Sequence, residues 1–211
     1  MGLEKLAVEP GRAWALWKIT ETEEELFRYN GHTETIPETI TNPQKRLEWL
    51  AGRVLTGKIM HATGKRYQGI TKDPYGKPFP SGYDLQLSLS HSYPYVAALL
   101  DENDPVGIDL EQPKEKLLRI APRVLHAEEL ADAGNDIIKH CIYWCAKEAL
   151  VKVHGKKDLI FAENLIISPF SLKNEGDIVG KIIVANTERM IPLHYSVHPG
   201  FTMVLSLKFE V

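Results

Sequence analysis

The sequence predicts an α+β fold made of two similar α/β halves related by a pseudo-twofold axis, residues 1–104 and 105–211. Three observations predict it. Two long segments carry helical apolar stripes, one opening at Asn42 and one running from Asp136 to His154. Strand-like runs accompany both. The two helices also share an echo: Glu48–Leu55 (EWLAGRVL) resembles Tyr143–Leu150 (YWCAKEAL), with the tryptophan, the alanine and the closing leucine at matching places ninety-five residues apart. At that offset the first strand falls beside Val106–Glu111. Chance produces echoes of this length as well. Taken structurally, the echo makes two halves with a ligand site in the cleft between them.

Ala13–Ile19 (AWALWKI) is the first predicted strand. Thr20–Arg28 is polar and acidic, and Thr20 or Thr22 is placed to cap a short helix. Asn42 then caps a longer one, with Pro43 fitting its first turn and Leu47, Leu50, Val54 and Leu55 forming its stripe. Gly64–Tyr83 is predicted as a loop because glycine and proline punctuate it at Gly64, Gly69, Pro74, Gly76, Pro78, Pro80 and Gly82. Leu85–His91, Tyr95–Leu100 and Val106–Glu111 are predicted strands, with Asp101–Pro105 turning between the last two. The helix Asp136–His154 stops at Gly155. The remaining runs, NLIIS, GKIIVAN, LHYSVH and FTMVLSLKF, are predicted strands.

Composition bounds the function. With 211 residues and 44% hydrophobic content, the chain can build one large core or two small ones. A net charge of -3 gives no basic excess for nucleic-acid binding. No stretch is long and apolar enough for a membrane span, and Met1–Pro10 lacks the apolar core of a secretion signal. Cys141 and Cys145, four apart, are expected as small apolar residues on one helix face in a reducing cytosol.

Five segments carry candidate chemistry. In Val106–Glu111, alternation puts Asp109 and Glu111 on one face, their Cα atoms about 6.5–7 Å apart, and Ile108 and Leu110 on the other. Two neighbouring carboxylates repel unless a cation lies between them, and a hard ion such as Mg²⁺ suits their oxygens. A half-exposed strand with solvated acids is the alternative. On the Asp136–His154 helix, Ile138, Cys141, Ile142, Cys145 and Ala149 form an apolar stripe, yet Glu148 and Lys152 fall within it or at its margin. Charge placed there needs a partner or a ligand. Either the two form a buried ion pair, or Glu148 is a third metal ligand while Lys152 and neighbouring Lys147 face an anion. Gly76-Lys77-Pro78 is either an ordinary loop or a phosphate cover. Ser88–Ser92 (SLSHS) ends a strand, where Ser90 and His91 can grip phosphate. Adjacent strand residues face oppositely, so His91 is badly placed to activate Ser90 as a hydrolase nucleophile. Arg46 and Arg53, seven apart on the earlier helix, form a solvated basic face or a second basic wall for an anion.

The order Gly76-Lys77-Pro78, Ser88–Ser92, Gly107–Glu111, then Trp144-x-x-Lys147-Glu148-Ala149-x-x-Lys152 resembles the 4'-phosphopantetheinyl transferase superfamily, in its larger single-chain form. The resemblance implies that family's two-lobed fold and transfer of 4'-phosphopantetheine from coenzyme A to a serine of an acyl or peptidyl carrier protein, with release of adenosine 3',5'-bisphosphate. It implies Asp109, Glu111 and Glu148 as Mg²⁺ ligands and Lys147 and Lys152 at the pyrophosphate, Lys152 also assisting the leaving group. Lys77, Pro78, Ser90 and His91 would hold the nucleotide and its 3'-phosphate, with Arg46 and Arg53 as N-terminal contacts. Leu125–Glu129 (LHAEE) resembles a family segment ending in a glutamate, which makes Glu129 a further catalytic candidate beside Glu148. Tyr93 departs from the glycine many relatives have there. The expected enzyme is a cytoplasmic monomer. A phosphohydrolase using the same acids, or a silent coenzyme A-binding module, are the competing readings.

Overall fold

The computed structural model describes residues 2–31, 33–156 and 158–208. It is a mixed α+β structure that divides into two compact units, Met1–Pro105 and Val106–Val211.

In the first unit, strands β1 (Leu3–Glu9), β2 (Arg12–Lys18), β5 (Gln86–Ser92) and β6 (Tyr95–Asp101) form an antiparallel sheet in the order β1-β2-β6-β5. Between β2 and β5 come helices α1 (Glu23–Tyr29) and α2 (Pro43–Ala62) and a short hairpin, β3 (Ile70–Lys72) with β4 (Pro78–Pro80). Thr22 caps α1 in a capping box with Glu25, and the Asn42 side chain accepts from the Lys45 N–H at 3.1 Å at the start of α2. Leu50, Val54, Leu55 and Ile59 of α2 pack against Ala15, Trp17, Val96 and Ala98 of the sheet. Fully burying each such branched side chain is worth about 1.5–3 kcal/mol. The small alanines let the helix approach the strands. At one end Asp101 accepts from Arg12 at 3.1 Å, both buried, and also from the N–H groups of Asn103 and Asp104, which fixes the turn after β6.

In the second unit, β7 (Ile108–Glu111) is followed by α3 (Lys116–Val124), α4 (Ala127–Ala133), α5 (Ile137–His154) and α6 (Phe161–Asn164). Strands β8 (Leu165–Ile167), β9 (Glu175–Val184), β10 (Thr187–His198) and β11 (Phe201–Ser206) complete an antiparallel sheet ordered β7-β11-β10-β9-β8. Helix α5 lies across it, and Cys141, Cys145, Ala149 and Leu150 are fully buried among strand residues. Both cysteines are buried free thiols, and burial pushes Cys145 well above its ordinary range, so Cys145 is not a ready nucleophile.

The structure differs from expectation at several places. The predicted loop 64–83 contains the β3–β4 hairpin, and β1, α3, α4 and α6 lie outside the predicted elements. Phe209, at the end of the last predicted strand, lies outside the described residues. Among the described residues no helix is long and apolar enough to cross a membrane.

Candidate active site

The site is built where β7 runs against α5. Asp136 caps α5, its Oδ1 accepting from the Ile138 and Lys139 N–H groups at 2.9 and 3.0 Å, and Gly155 ends it in the left-handed region at φ 80°. Gly107 sets the approach. A Cβ there would lie 2.0 Å from the Ala149 carbonyl oxygen and 2.7 Å from its carbon. Backbone cannot yield as a flexible side chain can, so β7 reaches the helix only because residue 107 is glycine. Gly107→Ala is expected to cost about 2–3 kcal/mol. A thermal melt should therefore fall by roughly 5–10 °C. An unchanged melting temperature would mean that strand and helix do not meet this closely.

That approach brings charged side chains together. Lys152 Nζ donates to Asp109 Oδ1 at 2.8 Å and to the Ile108 carbonyl at 2.7 Å. Asp109 is buried, whereas the Lys152 side chain is 26% exposed, enough to meet a ligand. Burial pushes the Glu148 carboxyl above its ordinary range, repulsion from Asp109 adds to the rise, Lys152 opposes it, and Glu111 adds again. Three carboxylates therefore share one electrostatic neighbourhood with the Lys152 ammonium. Among the described residues they are not drawn into a closed metal-ligand cluster. The donor chemistry nevertheless fits a hard divalent cation: three oxygen-bearing acids with excess negative charge.

Lys147 and Glu129 are also brought together, but with each other rather than with Asp109. Their side chains are 0% and 1% exposed and 2.6 Å apart. Lys147 Nζ also donates to the Phe161 and Leu165 carbonyls at 3.0 and 2.6 Å, which uses its three donors. Glu129 accepts from the Ile167 N–H at 2.7 Å and, closing the capping box of α4, from the His126 N–H at 2.7 Å. In this geometry Lys147 has no donor for a pyrophosphate and Glu129 no access to a substrate hydroxyl. They pin α4, α5 and β8 together.

In the first unit Ser90 is buried and His91 faces outward, its side chain 47% exposed, as strand alternation requires. Lys77 follows a turn held by Asp73, whose Oδ1 accepts from the Tyr75 and Lys77 N–H groups, both at 2.9 Å. Gly76 there has a φ of 91°. Pro78 opens β4. Each of the two arginines is engaged with an acid from another segment. Arg46 grips Glu23 with Nε at 2.7 Å and Nη2 at 2.5 Å, joining α2 to α1. Arg53 lies 3.3 Å over the Trp49 ring, and its Nε donates to Glu34 at 3.1 Å. Glu34 in turn accepts from Tyr67, so Arg53 anchors a loop.

Sequence reasoning passed over Glu48. It sits on the apolar face of α2, three residues before Ala51 and seven before Leu55, yet it is charged. The same oddity singled out Glu148, so the signal was there.

Comparison with known proteins bears on the family of the chain. Residues 105–203 match the family described as the 4'-phosphopantetheinyl transferase superfamily. The 4'-phosphopantetheinyl transferase ffp of Bacillus subtilis is 31% identical over 174 residues, covering 74% of this chain and 73% of that protein. Sfp of Bacillus subtilis strain 168 is 30% identical over the same length and coverage. AcpT of Salmonella typhi is 34% identical over 119 residues, covering 53% of this chain and 60% of its own.

Proposed function

The chain belongs to the 4'-phosphopantetheinyl transferase superfamily, and from that membership we propose that it transfers 4'-phosphopantetheine from coenzyme A to a serine of an acyl or peptidyl carrier protein. The observation that carries the reading is the β7–α5 junction, where three acids and Lys152 form a charged site that a cation and a phosphate together would neutralise. Asp109, Glu111 and Glu148 would hold Mg²⁺, which when bound supplies charge neutralisation for a pyrophosphate.

The chain's own groups do the rest. Lys152, tethered to the Ile108 carbonyl beside Asp109, offers its ammonium to the phosphate oxygens and balances the charge of the departing adenosine 3',5'-bisphosphate. Glu148 is the candidate for taking the proton of the attacking serine, since Glu129 is closed within its ion pair. In the first unit, Lys77, Pro78, Ser90 and His91 are proposed for the nucleotide and its 3'-phosphate. Positioning and charge balance supply most of the acceleration in such displacements at phosphorus. The pseudo-twofold relation of the halves belongs to the same proposal. It is supported by the echo between Glu48–Leu55 and Tyr143–Leu150, which fall on the two long helices α2 and α5. A cytoplasmic monomer is proposed with it.

Intact-protein mass spectrometry of apo-carriers after incubation with coenzyme A and Mg²⁺ tests the reading. The expected result is a carrier heavier by one phosphopantetheine. Release of free phosphopantetheine in the absence of any carrier would instead make the protein a hydrolase.

A further inference from the structure

Asn30 is followed by Gly31, and no other asparagine of the chain precedes a glycine. The order matters chemically. The backbone nitrogen that follows an asparagine can attack the side-chain amide carbon, and a side chain on that next residue crowds the attack. Glycine has none. Asn30 is also buried, 5% exposed, and neither atom of its side-chain amide has a hydrogen-bond partner among the described residues.

Asn30 is the C-cap of the seven-residue helix α1, at φ −72° and ψ −3°, and Gly31 follows at φ 62°. The Asn30 N–H donates to the Leu26 carbonyl at 2.9 Å and the Gly31 N–H to the Arg28 carbonyl at 3.0 Å. While these bonds stand, the Gly31 nitrogen is engaged and the backbone is helical, so reaction waits until the last turn of α1 opens. Two features make that opening easy. A buried amide with no partner gains hydrogen bonds to water when the turn opens, which offsets the backbone bonds that break. The ion pair that ties α1 to α2, Glu23 with Arg46, has side chains 42% and 31% exposed, so water screens it.

We propose that Asn30 is a self-modification site that deamidates through the opened C-terminal turn of α1. The Gly31 nitrogen attacks Asn30 Cγ, the Cγ–Nδ2 bond breaks, and the proton lost by the attacking nitrogen leaves with ammonia. Water then adds to either carbonyl carbon of the cyclic imide and breaks its ring C–N bond, which leaves aspartate or isoaspartate at position 30. The new carboxylate does not fit where the amide sat. Burying a charge without a partner costs more than burying a neutral amide. It would also stand at the C-terminal end of α1, where the helix dipole is negative. Each conversion therefore holds the turn open, a one-way release of α1 from α2 that is independent of the proposed transfer reaction.

The folded full chain, incubated in mildly alkaline buffer made with heavy-oxygen water and mapped by peptide mass spectrometry, tests this. Asn30 should take up heavy oxygen severalfold faster than Asn186, an exposed asparagine at φ 63° that precedes threonine. Glu23→Gln loosens α1 and should speed conversion of Asn30 about two- to fivefold while leaving Asn186 unchanged. Gly31→Ala should nearly abolish it. A Cβ at position 31 meets only Thr33 Oγ1, at 3.7 Å, and the strain of alanine at this φ favours opening, so a slower conversion isolates the crowding of the nitrogen. Asn30→Asp copies one product and should melt several degrees below wild type. Conversion at Asn30 no faster than at Asn186, or a rate indifferent to Glu23→Gln or to Gly31→Ala, overturns the proposal. An Asn30→Asp variant that melts like wild type overturns the release of α1.

Discussion

Asp109→Asn is expected to abolish carrier loading while leaving the fold intact. A bound divalent ion contributes several kcal/mol of charge stabilisation to such a transfer. At about 1.4 kcal/mol per decade, losing it slows the reaction by roughly 10³-fold or more. The fold should tolerate the change for a reason visible in the site. Asparagine keeps an oxygen for the Lys152 ammonium, now bonded at 2.8 Å, and removes one of the two acids that repel Glu148. A weakened ion pair and a relieved repulsion oppose each other, so the melting temperature should move by a few degrees at most. Single-turnover loading of an apo-carrier beside a thermal melt reads both. Normal loading by the variant would remove Asp109 from the metal site.

Lys147→Met should do the reverse and strike stability first. It leaves Glu129 charged and buried with no cation, and strips the Phe161 and Leu165 carbonyls of their shared donor. Breaking a buried pair from one side costs about 3–5 kcal/mol. For a chain of this size that lowers the melting temperature by roughly 10 °C. The sequence-based expectation, a lysine at the pyrophosphate, predicts the opposite pattern: a normal melt and a slow enzyme. Removing Glu129 as well should not restore full stability, because the Ile167 and His126 N–H groups would lose their acceptor.

What separated the legible residues from the illegible ones is physical. Glu148 and Lys152 stood out because each interrupts an apolar stripe on α5, and the structure places both beside Asp109. Lys147 escaped because it lies four residues after Tyr143 and three before Leu150, on a second buried face. One helix packed on several sides has no single stripe to read, and a lysine in its interior looks like a lysine at its surface. Strand β1 was hidden by its place at a sheet edge, where most of its residues are exposed and no alternation survives. In α3 the apolar positions Leu117, Ile120, Ala121 and Val124 carry a helical period, but Pro122 inside it argues against a helix. The β3–β4 hairpin is three residues a side and flanked by glycine and proline, which is also the signature of a loop. Arg46 and Arg53 share a helix face as their spacing requires. Their partners, Glu23 and Glu34, come from other segments, and spacing along one helix cannot announce them.

Crystals of the protein soaked with Mn²⁺ and coenzyme A, with anomalous scattering recorded, address the metal assignment most directly. One strong peak is expected at about 2.0–2.2 Å from carboxylate oxygens of Asp109, Glu111 and Glu148, with Lys152 Nζ turned toward a phosphate oxygen. Bound coenzyme A with no anomalous peak at these three side chains, or with the ion held by other residues, would contradict it.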